Sequence, residues 1–351
     1  MNGPLRGVIA VRALVCDKPG TLTLREVDQP LPGPGQARIR VSATGVCGSD
    51  VKGYHGTHPE IPVYPIILGH EFAGTVDAVG TEVEGLQPGT RVAVEPLFVC
   101  GKCRRCLQGD YHVCIRRELN GHHHPGSFAE WTVSPARFCY PIPDDLDFET
   151  AALAEPTAVG VHVANRARPR LGDVAVVLGV GPIGMLVLQT LKLSGCRVIA
   201  TDVVQSKVRI ASDLGAELAL NAAECDIAEA VRDLTDGDGA DVVVETAGTR
   251  QTLAQTVHLV RTGGTVVIVG FTGAPDDPFG VSDVMGKELN VIGSVIYAHR
   301  DFPDAIRLLA SGAVKGAPLI THRSDLDGLA DLVVAAEDKS TGMLKPMCVI
   351  A

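Results

Sequence analysis

From residue 174 onward, short apolar runs rich in β-branched residues alternate with longer stretches of helical spacing. The runs are VAVVLG (174–179), RVIATD (197–202), ELAL (217–220), DVVVET (241–246), TVVIVG (265–270) and LNVIGSV (289–295). Helical patterns separate the first five, while a Pro/Asp/Gly-rich stretch and a short apolar turn join the fifth to the sixth. Strands that are apolar on both faces suit a parallel sheet covered by helices. Six in this order predict a doubly wound, nucleotide-binding sheet. Before residue 150 the texture differs. ARIRVSATGV (37–46) and HEFAGTVDAVG (70–80) alternate or run apolar between turn signals such as LPGPGQ and LQPGTRV, which predicts a β-rich domain with function on its loops. ETAALAEPTAVGVHVANRA (149–167) reads as helix. Two amphipathic helical patterns, DFPDAIRLLA (301–310) and DLDGLADLVVAAE (325–337), precede a terminal strand, PMCVIA (346–351). A completed sheet does not need them, so they are expected to pack back on the first domain.

Length and composition sharpen this picture. A chain of 351 residues suits about two domains with real cores. Aromatic residues are only 4% of the chain, so the core must be mostly aliphatic. The net charge of −10, with no stripe of Lys or Arg, argues against nucleic acid and anionic membranes as partners. The uncharged stretch 174–191 is interrupted by three glycines and a proline, and reads as a buried strand turning into a buried helix rather than a membrane span. The N-terminus lacks the uninterrupted apolar stretch of a signal peptide. Ten cysteines then suggest metal ligands and reduced core thiols, and a cytoplasmic location.

Four of those cysteines fall within fifteen residues: Cys100, Cys103, Cys106 and Cys114, spaced C-x2-C-x2-C-x7-C. Short loops let four thiolates converge on one tetrahedral zinc, a closed structural site; two disulfides are the competing reading. Gly179, Gly181 and Gly184 form G-x-G-x-x-G, with Pro182 and Ile183 inside it, directly after a strand and opening a helix. In that context the motif offers a helix N-terminus to a pyrophosphate. Asp202, 18 residues after Gly184, ends the second strand and suits the ribose hydroxyls of NAD over the phosphate of NADP. The competing role for Asp202 is to cap the next helix. Lys207 is placed beside the adenosine, and Gly270 closes the fifth strand at the cofactor.

Candidate ligands for a second, catalytic zinc are Cys47 in GVCGSD, His70 and Glu71 in LGHEFAG, and Glu155 in ALAEPTA. Adjacent residues in a regular strand point to opposite faces, so His70 and Glu71 share one metal only if the chain bends at Gly69. Otherwise Glu155 is the direct ligand or exchanges with water. These motifs, the four-cysteine lobe and GVGPIG occur in an order that resembles the zinc-dependent medium-chain alcohol dehydrogenase family, in its sorbitol, threonine and butanediol dehydrogenase branch. Glu155 and the wording VEPLFVCGKC favour that branch over the ethanol-oxidising one.

The resemblance implies an α/β fold with a GroES-like β-barrel catalytic domain and a Rossmann domain carrying a doubly wound, parallel, six-stranded sheet. The expected division is 1–157 catalytic, with the zinc lobe at 96–116; 158–295 NAD-binding; and 296–351 returning to complete the catalytic domain. Two zinc ions and one NAD per chain are implied, in a homodimer or homotetramer. The implied reaction moves hydride between NAD and a secondary alcohol (a polyol, sugar alcohol or hydroxy acid), with zinc polarising the substrate oxygen and Ser49 relaying the proton. Lys52 stands where this branch often has histidine, and serves as the outer proton exit unless His55 substitutes or the relay ends in water. His122, His123 and His124 read as a polar surface loop, the alternative being that one imidazole reaches the substrate. A primary or aromatic alcohol is the second functional reading, which the scarcity of aromatics disfavours. A non-catalytic relative is the third, which the full set of Cys47, Ser49, His70, Glu71 and Glu155 disfavours.

Overall fold

The computed structural model describes residues 9–61, 63–271, 273, 277–338 and 342–351. The first eight residues, part of the N-terminal stretch compared above with a signal peptide, and Thr272 with residues 274–276 of the Pro/Asp/Gly-rich stretch lie outside the described residues. The chain divides into two units: one runs to Glu155 and resumes at Ile320, the other is Pro156–Leu319. No helix among the described residues is long and apolar enough to cross a membrane.

In chain order the first unit contains β1 (Ala10–Lys18), β2 (Thr21–Asp28), β3 (Gln36–Gly45), α1 (Gly48–Tyr54), β4 (Ile66–Ile67), β5 (Glu71–Val79), β6 (Arg91–Val94), β7 (Leu97–Phe98), α2 (Arg104–Leu107), β8 (Glu118–Leu119), β9 (Trp131–Pro135), β10 (Cys139–Pro141) and α3 (Phe148–Ala152). Helix α4 (Ala154–Ala167) leads into the second unit. The single helix expected over 149–167 is thus two, broken at Leu153.

The second unit continues with β11 (Val174–Leu178), α5 (Pro182–Leu193), β12 (Arg197–Asp202), α6 (Gln205–Asp213), β13 (Leu218–Asn221), α7 (Ile227–Leu234), β14 (Ala240–Glu245), α8 (Arg250–Leu259), β15 (Val260–Ile268), α9 (Val281–Gly286), β16 (Asn290–Gly293) and α10 (Asp301–Ala310). Its six strands run parallel in the order β13-β12-β11-β14-β15-β16, the Rossmann order. Central β11 is buried at every position, as its unbroken apolar run requires. The link from β15 to β16 carries the short helix α9, where only a turn was expected.

The return to the first unit is β17 (Ile320–Ser324), α11 (Leu329–Ala335) and β18 (Lys345–Val349). Strand β18 pairs with β3, giving a sheet ordered β10-β6-β5-β3-β18-β17 with β9 on β3; β2-β1-β4 and β7-β8 form smaller sheets. The core of this unit is aliphatic with Phe72 and Phe128 inside it.

The expected return at 296 needs correction. Residues 296–319, including α10, belong to the second unit. Buried Asp301 explains this: its carboxylate lies 2.7 Å from His162 Nδ1 and accepts from Asn165 Nδ2 at 2.8 Å, fastening α10 to α4. Gln189 on α5 accepts from the Lys315 amide at 2.8 Å and holds the following turn.

Glu95, just after β6, is fully buried. Its Oε2 accepts from both Tyr111 Oη and Tyr140 Oη, each at 2.9 Å. Burial pushes this carboxyl up to about 8, against the two tyrosines. In the unfolded chain it titrates at about 4.3. Its contribution to stability is therefore complete below the unfolded value and is lost as pH rises towards the folded one. Glu95→Gln removes that titration. The melting temperature of Glu95→Gln minus that of wild type is expected to increase from about pH 5 to about pH 8.5. A difference constant with pH would show that Glu95 is not the group responsible.

Candidate active site

Cys103 caps α2, while Cys100 and Cys114 flank that short helix in sequence. Neighbouring sulfurs of the four-cysteine set lie 3.5 to 3.9 Å apart. Four thiolates at a Zn–S distance of about 2.3 Å on a tetrahedron stand about 3.8 Å apart, so the donor set fits zinc. A disulfide needs about 2.05 Å, and all ten cysteines are free. Backbone amides of Cys106 and Lys102 pull the Cys103 and Cys100 thiols below their ordinary range, which favours the thiolate.

A second cluster joins Cys47, His70 and Glu71, whose donor atoms all lie within 4.8 Å of one another. Cys47 is the N-cap of α1, and Asp50 in the first turn of that helix fixes the arrangement. Asp50 is completely buried. Its Oδ2 accepts from the Cys47 amide at 2.8 Å, its Oδ1 accepts from the Gly69 amide at 3.0 Å, and Oδ1 stands 3.3 Å from His70 Nδ1. A carboxylate behind Nδ1 orients the ring and leaves Nε2 for a metal. Burial alone would lower the His70 pKa, but Asp50 and Cys47 outweigh it and raise it. Ser49 Oγ lies 3.4 Å from His70 Nε2, at the metal-facing nitrogen.

The bend that lets His70 and Glu71 converge is present. Gly69 has φ +93°, and a Cβ there would strike the Phe128 ring. His70 precedes β5, and Glu71 begins it. Glu71 is not alone, however: Lys345 Nζ donates to its two carboxylate oxygens at 2.7 and 2.6 Å, and both side chains are buried. Burial alone would lower Lys345; Glu71 foremost, with Cys47 and Glu155 adding, raises it on balance. Glu155, buried at the start of α4, is thus within electrostatic reach of the same lysine but outside the three-residue cluster.

Lys52 is exposed on α1, and His55 pairs with Glu337 at 3.0 Å. The histidine tract departs from the surface-loop reading. Phe128, Ser127 and Gly126 donate backbone hydrogen bonds to Leu68, Gly69 and Ile67, laying this loop on the segment before β5. His122 is consequently buried, with its ring 5.2 Å from that of His70. His124 stacks on Phe98 and meets Glu118 at 2.7 Å, nearer the surface. Sequence reasoning missed Asp50 and Lys345 as contributors. The signals were an acidic residue in the first turn after Cys47 and a lysine opening an otherwise apolar strand.

In the second unit, β11 ends at Leu178 and α5 begins at Pro182, so Gly179–Gly181 form the connecting loop. Gly179 has φ +87°, and a Cβ at Gly184 would run into the Gly179 carbonyl. Nothing lies within 4 Å of a Cβ at Gly181, and the N-terminus of α5 has no side-chain cap, which leaves room and unpaired amides for a pyrophosphate. Asp202 ends β12; it accepts from the Val180 amide at 3.0 Å and the Val204 amide at 2.9 Å, joining the glycine loop to the turn before α6. Lys207 is half-buried on α6. Gly270 follows β15, and its amide donates to the Glu245 carbonyl at 3.0 Å. The residues present fit a dinucleotide.

Residues 33–144 match the alcohol dehydrogenase GroES-like domain family, and residues 182–311 the zinc-binding dehydrogenase family. The chain is 37% identical over 317 residues to a sorbitol dehydrogenase of Halalkalibacterium halodurans, covering 89% of this chain and 92% of that one. A short chain alcohol dehydrogenase from Escherichia coli, solved with NADH, superposes with a TM-score of 0.90 at 31% identity over 97% of this chain and 99% of that one. Galactitol-1-phosphate dehydrogenase from Escherichia coli gives 0.89 at 30% identity, over 96% and 99%.

Metal analysis of purified protein is expected to separate the two clusters. Cys103→Ser should lose one zinc equivalent and melt at lower temperature, because an opened thiolate cage loses its metal and local fold. Cys47→Ser should lose the other equivalent with the fold intact. A Cys103→Ser protein that keeps all its zinc would undo the two-site assignment. Lys345→Met leaves the Glu71 carboxylate buried without its cation and should cost about 3–5 kcal/mol in urea denaturation. Adding Glu71→Gln should recover much of that loss; no recovery would mean the pair is not the cause.

Proposed function

The chain belongs to the zinc-dependent medium-chain alcohol dehydrogenases, in the branch of the sorbitol dehydrogenases, and we propose that it transfers hydride between a secondary alcohol bearing further hydroxyls and NAD. It is an oxidoreductase with zinc and NAD as cofactors and a small alcohol as substrate. The observation that carries the reading is Ser49 Oγ standing 3.4 Å from the nitrogen that His70 offers to the metal cluster.

Zinc bound there supplies a Lewis acid that eases loss of the substrate's hydroxyl proton, and NAD supplies the hydride acceptor. Cys47 and His70 would hold the metal. Glu71, the carboxylate inside the cluster, would be the third ligand, weakened by the Lys345 bonds to both its oxygens, and Glu155 would be the one to exchange with it. Asp50 keeps His70 oriented with Nε2 forward. Ser49 Oγ takes the substrate proton and passes it outward. Lys52, exposed on the same helix three residues on, suits the solvent end of that route; His55 is engaged by Glu337.

In the second unit Gly179, Gly181, Pro182, Ile183 and Gly184 take the pyrophosphate on the amides of α5. Asp202 takes the ribose hydroxyls and repels a 2′-phosphate, Lys207 lies along the adenosine, and Gly270 leaves room at the end of β15. The division into a unit that ends at Glu155 and resumes at Ile320 and a unit Pro156–Leu319 assigns substrate and cofactor binding to separate units. The protein works as a homodimer or homotetramer in the cytoplasm. Edge strand β16 carries exposed Val291 and neighbouring Val295, and α9 exposes Val281 and Met285, an apolar margin suited to a second copy.

Initial rates of NADH formation across polyols, vicinal diols, threonine, sugar acids and primary alcohols test the reading. A clear preference for one secondary alcohol is expected, with NADP at least about tenfold poorer than NAD in kcat/KM because of Asp202. Preference for a primary alcohol would replace the reading, as would equal use of NADP for the cofactor assignment.

A further inference from the structure

At the cofactor end of the Rossmann sheet several loops are tied to one buried residue. Glu245 ends β14, the neighbour of β11, and is completely buried. Its Oε1 accepts from the Gly248 amide at 2.9 Å and from Thr252 Oγ1 at 2.8 Å. Oε2 has no hydrogen-bond partner, and the carboxylate forms no ion pair among the described residues. By contrast, Glu71 meets Lys345, Asp50 faces His70 and Asp301 faces His162. A buried carboxylate without a cation is costly unless the working state brings one.

Its place in the sheet points to that cation. The strand order reverses between β11 and β14, which is where such sheets take a dinucleotide. With Asp202 taking the adenosine ribose at the end of β12, the nicotinamide half falls to the ends of β14 and β15. Glu245 touches both loops that leave those ends. Its carbonyl accepts from the Val269 and Gly270 amides at 2.9 and 3.0 Å, and a Cβ on Gly270 would stand 2.4 Å from Oε2. The next two residues reach the glycine loop. Thr246 Oγ1 donates to the Gly179 carbonyl at 2.5 Å, and Ala247 fills the space that a Gly179 side chain would need.

We propose that Glu245 is the counter-charge for the oxidised nicotinamide ring and so sets the balance between NAD and NADH binding. The proposal rests on the NAD reading of the second unit and deepens it. The oxidised ring carries one positive charge. Two electrons and a hydrogen nucleus pass to it from the alcohol carbon, the hydroxyl proton leaves by Ser49, and the reduced ring is neutral. A fixed carboxylate in a poorly screened interior therefore attracts the oxidised form and is indifferent to the reduced one. Glu245 acts across the loop ends without touching the ring, as an electrostatic residue and not a catalytic one.

Dissociation constants of NAD and NADH are measured by calorimetric titration of the zinc-loaded wild type, Glu245→Gln and Thr252→Val, with melting temperatures checking the fold. Gln keeps an acceptor for Gly248 and Thr252 but removes the charge. It should weaken NAD about tenfold more than NADH. Thr252→Val takes one donor from Oε1 and leaves the charge less answered, so the ratio should move the other way, towards NAD, by about twofold or more. Equal weakening of both forms by Glu245→Gln, or none, would reduce Glu245 to a support of the loops and overturn the proposal. Should the Gln protein not fold, Thr252→Val decides: a shift towards NAD sustains the proposal, and an unchanged ratio overturns it. A wild type that binds neither form would overturn the NAD reading and the proposal together. One that binds both forms, with a ratio no variant moves, overturns the proposal alone.

Discussion

The Asp50 carboxylate is the point on which the metal cluster depends. It accepts the amides of Cys47 and Gly69 and stands behind His70 Nδ1, so one buried group sets the start of α1, the bend before β5 and the ring orientation. Burial opposes ionisation of Asp50, but the His70 ring, with the Cys47 amide adding, shifts its carboxyl downward. A charged carboxylate without those donors would be expensive at this depth. The thiolate and the imidazole therefore meet because a third residue, which touches no metal, has its own hydrogen bonds satisfied.

Much of this was legible in the chain. Parallel strands buried on both faces leave an unbroken apolar signature, and β11, β12 and β14 appear within a residue of where their runs lie. The glycine loop was readable because its strand-and-helix context is local. The four cysteines were readable because their loops are short. What escaped is what depends on long-range pairing. Lys345 finds Glu71 across 274 positions, through a strand whose pattern gives no hint of its partner. The return was placed too early because the amphipathic pattern of α10 shows that a face is covered, not which unit covers it; a single aspartate, Asp301, decides. The histidine tract looked polar and hence superficial. Backbone hydrogen bonds from Gly126, Ser127 and Phe128 press the loop inward regardless of that composition.

The two units solve different physical problems. The Rossmann sheet is stabilised by contiguous aliphatic burial, and the groups proposed for the dinucleotide are backbone amides and one carboxylate at strand ends. The other unit concentrates ionisable groups inside: Asp50, Glu71, Glu95 and Lys345 are all essentially inaccessible. Asp50 is held by amides and faces His70, and Glu71 and Lys345 answer one another, while Glu95, bonded to two tyrosines, is pushed by burial towards its neutral form. Such pairing stabilises less than a packed apolar core of equal volume would. It fixes position, which is what a mixed sulfur, nitrogen and oxygen donor set requires.

Strand β18 sits inside its sheet, between β3 and β17, although it is made after the entire second unit. The emerging chain therefore meets an ordering constraint. Residues of β3 and β5 leave the ribosome long before the strand that pairs with β3 and supplies the cation for Glu71. Closing that contact means joining segments 274 positions apart, and such non-local pairings form slowly unless the intervening chain has already become compact. The nucleotide-binding unit, continuous in sequence, is the natural spacer. Lys345 reaches Glu71 only once that unit has been spanned. Completing the Glu71–Lys345 pair thus depends on chain made after a unit that contributes none of the clustered donors.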